Sequence, residues 1–243
     1  MSLVTEIAPE IFRICTYVPE ANLQFHQFLV RDEEPLLWHA GLRHLFPAIR
    51  EAVATLIAPA DLRWVGGSHF EADEFGALND WLETAPRAEP ICSVTAAILS
   101  VNDLAARPAR AFDDGDTFST GAHRFRFLRT PHVPHGWDAG HLFEETSATL
   151  LCSDLLHQGG EVETFVGEEV VERMRAMFLS YTGGPLDLYM PYTHYTDGTL
   201  RRLAALQPRT CATMHGGTYQ GDGERILLAM ADMMREVLGP PPA

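Results

Sequence analysis

His69, Glu71 and Asp73 stand at positions i, i+2 and i+4 in the stretch Gly66-Gly67-Ser68-His69-Phe70-Glu71-Ala72-Asp73-Glu74. An imidazole and two carboxylates are metal-ligand types. On extended backbone, with its period of two, all three side chains leave from one side. Carboxylates brought together repel, and each desolvated one costs several kcal/mol unless it is paired or coordinated. A cation at the point of convergence removes that cost. Asp73 also suits a second role: Phe75, Leu78 and Leu82 predict a helix over 74–84, and Asp is a favoured N-cap.

The same design recurs along the chain, an apolar run followed by a loop bearing His or Asp. Thr130-Pro131-His132-Val133-Pro134-His135-Gly136-Trp137-Asp138 presents two histidines on backbone that its prolines exclude from helix and central strand. Thr149-Leu150-Leu151-Cys152 runs into Ser153-Asp154, where Asp154 is either a site residue or a cap for the turn that follows. Thr210-Cys211-Ala212-Thr213 ends in Met214-His215-Gly216-Gly217. The six candidates are His69, Glu71, Asp73, His135, Asp154 and His215. The interval from Asp73 to His135 is 62 positions, from His135 to Asp154 is 19, and from Asp154 to His215 is 61.

This ladder resembles the flavodiiron family of the metallo-β-lactamase superfamily. That family's pattern is H-x-E-x-D, then His, Asp and His at nearly these intervals. Hydrolytic members of the superfamily typically carry H-x-H-x-D-H, so Glu71 is the distinguishing residue. The resemblance covers essentially the whole chain. It implies a first iron held by His69, Glu71 and His135, a second held by Asp73 and His215, and Asp154 bridging the two. It also favours His135 over His132, by the interval to Asp154. Three imidazoles and three carboxylates, with no thiolate, make a hard to borderline ligand set suited to Fe or Mn, with Zn as the alternative. Where the family has a His directly after the motif's aspartate, this chain has Glu74. The second metal is therefore expected to be one ligand short, to take a water, or to be bound by Glu74. His157 and His194 are further candidates to approach the metals. Tyr192 and Tyr195, in the aromatic loop 189–195, are candidates to hydrogen-bond a bound oxygen species.

The function implied is a non-haem diiron protein that binds or reduces O2, or NO. No flavodoxin-like or Cys-rich rubredoxin segment follows the module, so no FMN is expected on this chain. Electrons would come from a separate flavin or rubredoxin-type donor; without one, the protein would act as an oxygen sensor. The alternative is a dinuclear zinc or manganese hydrolase, in which a bridging hydroxide of lowered pKa attacks an ester, thioester, lactone or phosphodiester. Relatives are usually dimers. The implied fold is α/β, a four-layer αββα sandwich with the metals at one edge, in one domain spanning 1–243.

The elements that must position these residues follow from the patterning. Residues 10–17 and 23–30 read as a hairpin about Pro19-Glu20-Ala21-Asn22, with His26 on the sheet face, and 36–38 as a third strand. Apolar residues at helical spacing predict helices over 42–57, 95–104, 166–181, 197–206 and 224–238. Strands are expected at 63–65, 91–94, 123–128, 141–145, 148–153 and 210–213, with His123 facing solvent. Asp113-Asp114-Gly115-Asp116 is a plain turn, since it lacks the longer loop and terminal Glu of an EF-hand. Residues 239–242 are expected to fray.

Composition bounds the function class. The 243 residues carry a net charge of −15, which argues against nucleic acid and anionic lipid as partners. No run of about 18 apolar residues could span a bilayer, and the first residues lack the pattern of a signal peptide. The cysteines Cys15, Cys92, Cys152 and Cys211 are widely spaced in apolar surroundings, which fits free thiols in a reducing cytoplasm.

Overall fold

Along Leu36–Trp38 the side chains alternate between two buried clusters, Leu36 and Trp38 in one and Leu37 in the other. The same split separates Phe28 from Leu29, Ile91 from Cys92, Phe127 from Leu128, Leu142 from Phe143 and Leu151 from Leu150. A strand that is apolar on both faces needs cover on both sides. The computed structural model, which describes residues 2–239, supplies that cover as two sheets with helices outside each.

The first sheet holds β1 (Leu3–Ala8), β2 (Ile11–Val18), β3 (Leu23–Val30), β4 (Leu36–Trp38), β5 (Trp64–Gly66), β6 (Glu89–Ser93) and β7 (Arg110–Phe112), in chain order. Pairing is antiparallel through β4 and parallel from β4 to β7. The second contains β8 (Thr117–Ser119), β9 (Arg124–Arg129), β10 (Gly140–Glu144), β11 (Thr149–Leu151), β12 (Phe165–Val166), β13 (Thr210–Ala212) and β14 (Thr218–Gln220), in the order β12-β14-β13-β11-β10-β9-β8. The Asp113–Asp116 turn carries the chain from one sheet to the other, with Gly115 at φ +83°.

Between the sheets lie Phe28, Trp38, Trp64 and Ile91 against Phe118, Phe125, Phe127 and Leu142. Burying each such side chain contributes about 2–3 kcal/mol. Outside the first sheet, the helices Phe46–Ala54 and Leu78–Thr84 and the helical run Val94–Leu104 bury Ile49, Val53, Trp81 and Ala96. Outside the second, Val170–Tyr181, Thr196–Ala204 and Gly223–Leu238 bury Met174, Phe178, Leu200, Ile226 and Met230. The result is the expected αββα sandwich. All four cysteines are buried and free. No helix of the described residues is long and apolar enough to cross a membrane.

Several local expectations are corrected. The first strand, Leu3–Ala8, has only one buried residue and was hidden from a reading of hydrophobic pattern. The helix expected over 42–57 is regular only from Phe46 to Ala54. The helix expected over 74–84 divides around Gly76-Ala77 into Ala72–Phe75 and Leu78–Thr84. The helix expected from Val166 begins at Val170, because Phe165 and Val166 pair in parallel with Thr218 and Tyr219. His123 does not face solvent: it is buried, with Nδ1 3.2 Å from Glu144 Oε1. The expected fraying of Pro240–Pro242 lies outside the described residues.

Candidate metal centre

β5 ends at Gly66, where a Cβ would sit 2.2 Å from the Ile91 carbonyl oxygen of the neighbouring strand. Only glycine allows that approach. The chain then runs irregularly to Glu71, which is extended at φ −132°, ψ 167°. Asp73 falls in the first turn of the helix that follows, so the common direction of the three side chains does not come from strand periodicity alone. Asp73 is not the cap either: Glu71 holds that position, with no side-chain capping bond.

Of the three alternatives for the second metal, ligation by Glu74 is the one the geometry goes against, because its side chain turns away from the centre. Its carboxylate is fully buried and accepts from the Ser68 backbone N–H, from Ser68 Oγ at 2.6 Å and from Ser153 Oγ at 3.1 Å. Ser68 Oγ in turn accepts from His69 Nδ1 at 2.8 Å. This network commits Nδ1 of His69 to Ser68, so Nε2 is the nitrogen left to coordinate a metal.

His135 arrives on the loop between β9 and β10. Asp138 Oδ2 accepts from the Phe70 N–H at 2.8 Å, and the Gly140 N–H donates to Ser68 O at 2.9 Å, so this loop is tied to the His69 loop. His135 Nε2 lies 3.0 Å from Glu71 Oε1. His132, at φ +63°, turns the other way, into an open cleft with Arg129, His194 and Tyr195 whose lining carries no carboxylate. The structure thus separates His132 and His194 from the six.

Asp154 follows β11 and His215 follows β13. His215 Nδ1 donates to Gln24 O at 2.8 Å, which again frees Nε2. Asp154 Oδ2 lies 3.6 Å from the Nε2 atoms of both His69 and His135, while Oδ1 lies 3.3 Å from His215 Nε2. His215 Nε2 is also 3.3 Å from Asp73 Oδ2. One carboxylate therefore presents an oxygen to each of two groups, His69 with His135 on one side and His215 with Asp73 on the other. Ligand atoms of His69, Glu71 and His135 lie within 4.8 Å of one another, and the buried Nε2 of His69 has no hydrogen-bond partner.

The electrostatics favour a cation. Burial alone would lower the His69 pKa, but Glu74, Glu71 and Asp154 outweigh it and raise it to about 10. For His215 the burial effect is likewise overcome, by Asp154 and Asp73, and the pKa rises to about 10. Burial pushes the Glu71 carboxyl up, but His135 and His69 bring it down to about 2. Despite its burial, Asp154 is held well below the usual carboxylate range by His215, His69 and His135. The carboxylates thus favour a positive charge at the Nε2 positions of His69 and His215, and a divalent ion of borderline hardness, bound there in place of the proton, would supply it.

A cavity of about 160 Å³ opens onto the centre, lined by Leu23, Glu71, Asp73, His135, Asp154, His157, Tyr181, Leu186, Tyr189 and His215. His157, a candidate from the sequence, does reach it. Tyr192 and Tyr195 do not: Tyr192 packs against the core outside the second sheet, and Tyr195 is exposed against His194. The tyrosines that line the cavity are Tyr181 and Tyr189, and the Tyr189 hydroxyl is buried with no partner. The aromatic loop pointed to the right segment; which of its rings turns inward depends on packing against Phe178 and Tyr181.

Comparison with known proteins bears on this geometry. A family model described as ODP family beta lactamase matches residues 23–216. A curated chain carrying the name diflavin flavoprotein A 3, from Nostoc sp. (strain PCC 7120), is 29% identical over 136 residues, which are 54% of this chain and 23% of that one. The rubredoxin oxygen:oxidoreductase from the anaerobe Desulfovibrio gigas superposes with a TM-score of 0.76 at 15% identity, over 95% of this chain and 62% of that chain. The metal-soaked Flv1 flavodiiron core from Synechocystis sp. PCC6803 gives a TM-score of 0.80 at 18% identity, over 97% and 61%. The fold is thus the metallo-β-lactamase-like core of flavodiiron proteins. The chain spans about a quarter of the curated relative and about three fifths of each of these two solved chains.

Proposed function

The chain belongs to the ODP family of beta-lactamase-type proteins, and on that premise we propose that it is a non-haem diiron protein that binds or reduces O2, with NO as a second diatomic ligand. The observation that carries the reading is the position of Asp154, one oxygen towards His69 and His135 and the other towards His215. The proposed ligands are His69, Glu71 and His135 for one ion, Asp73 and His215 for the other, and Asp154 for both. When bound, a pair of iron ions supplies coordination and redox chemistry for a diatomic gas.

The chain's own residues do the rest. Ser68 and Gln24 O fix the tautomers of His69 and His215 through Nδ1. The three carboxylates offset most of the charge of two divalent ions. Tyr181, Leu186 and Tyr189 restrict the cavity to a few water-sized molecules and lower its polarity. The buried Tyr189 hydroxyl is placed to donate to an anionic ligand there.

We further read residues 1–243 as one domain, supported by an apolar cluster that draws on both sheets. A separate flavin or rubredoxin-type protein as electron donor, a homodimeric assembly and a cytoplasmic location complete the proposal. Its test is an absorption spectrum of iron-loaded protein, taken without oxygen and again after O2 is admitted. A new near-ultraviolet or visible band supports the reading. An unchanged spectrum, or colourless zinc protein that turns over an ester, overturns it in favour of a hydrolase.

A further inference from the structure

We propose that His157 donates a hydrogen bond to the small ligand held in the cavity, and so sets how long that ligand stays. The inference rests on the diiron reading above. His157 is 5% exposed, and neither ring nitrogen has a partner in the protein. A neutral imidazole offers one donor and one acceptor. Leaving such a buried group unpaired costs about 1–3 kcal/mol, which a purely structural histidine avoids. His26 keeps at least one nitrogen paired, Nδ1 on Thr213 O at 2.8 Å, and leaves only Nε2 open. His141 also lacks partners but does not line the cavity.

The His157 ring lies 4.7 Å, centroid to centroid, from that of His215, and it packs edge-on to Tyr181 at 6.2 Å and Tyr189 at 5.8 Å. It therefore belongs to the cavity wall on the His215 side. The backbone presents it deliberately. Leu156 adopts φ +64°, a left-handed conformation that costs a non-glycine residue about 1 kcal/mol or more and that clusters at functional positions. The His157 N–H donates to Asp154 O at 3.2 Å, and the Gln158 N–H donates to His215 O at 3.0 Å. Gln158 Nε2 closes the turn on Leu156 O at 3.0 Å. The short loop is thus fixed to both strand ends that carry Asp154 and His215.

The test uses the full chain loaded with iron under anaerobic conditions, with nitric oxide as probe. His157→Leu and His157→Gln are compared with wild type by iron content, by the infrared N–O stretching frequency and by the rate of nitric oxide release. We expect wild-type iron content in both variants. The Leu variant should show a shifted N–O stretch and release about tenfold faster, the loss of one hydrogen bond. The Gln variant, which keeps a donor, should lie between Leu and wild type. An unmoved stretch and release rate in both variants overturns the proposal. So does loss of iron, which would make His157 a metal ligand instead. Failure of the diiron reading looks different: wild-type protein with iron would then take up no nitric oxide.

Discussion

Asp154 has to serve two groups at once, and the residues behind it decide how firmly it can. Glu74 is the most consequential of these. Through Ser68 it fixes the orientation of His69, and through Ser153 it holds the residue that precedes Asp154. Glu74→Gln should leave the fold intact but weaken metal binding roughly 10–100-fold, the usual effect of losing a carboxylate behind a ligating histidine. Competition of the variant and wild type against a chelator measures this; equal affinities would show that Glu74 serves packing alone. A second buried pair lies elsewhere, between His123 and Glu144. The Glu144 carboxylate raises the His123 pKa above its ordinary 6.5. Burial pushes the Glu144 carboxyl up, but bonds from His123 and Ser147 bring it down from 4.5 to about 2. The Glu144 contribution is present above pH 4.5 and lost as pH falls through about 2; the His123 contribution is present below pH 6.5 and lost as pH rises through its raised pKa. His123→Gln should therefore cost most stability between pH 5 and 6, about 1–2 kcal/mol, and less at pH 9. Denaturant unfolding at the two pH values checks this, and a cost independent of pH would refute the ion pair.

At the scale of elements, four strand ends converge, and each end is shaped by one or two small or strained residues. Gly66 is the sharpest case. Gly66→Ala places a methyl 2.2 Å from a backbone oxygen and 2.6 Å from Ile91 Cγ1. Neither β5 nor β6 can move without breaking its parallel pairing, so a loss of about 3 kcal/mol is expected in thermal or urea unfolding. The grouping of the six candidate residues was legible in the sequence because they follow strand ends or lie in the loops after them, where the chain changes from apolar to polar. The intervals between them reflect complete structural units and survive small errors in element boundaries. The fold class came with the family resemblance that those intervals carry; that the strands are apolar on both faces emerged only from the structure. What stayed hidden depended on long-range partners. Leu3–Ala8 pairs only at a sheet edge and buries a single side chain. The burial of His123 depends on Glu144, 21 positions away, and on Asp32, whose carboxylate accepts from the His123 N–H at 2.9 Å. Tyr189 was passed over for Tyr192 and Tyr195, since rings in an irregular loop have no period to reveal which turns inward.

At the scale of the whole molecule, the proposed metal pair joins the sheets. Residues after β5 of the first sheet and after β9, β11 and β13 of the second would bind the same two ions. Ions that bind only the folded chain add stability, about 2.7 kcal/mol at a hundredfold excess over Kd. Chelation should therefore lower the melting temperature by several degrees, read by calorimetry with and without metal, and an unchanged transition would place the ions off this seam. The central claim, that six side chains from four loops hold two ions, is tested most directly by anaerobic titration of ferrous iron into metal-free protein. The account predicts saturation at two irons per chain, fewer in His135→Ala and in His215→Ala, and disruption of both sites in Asp154→Asn. Saturation at one or none in the wild type, or two irons retained in all three variants, would contradict it.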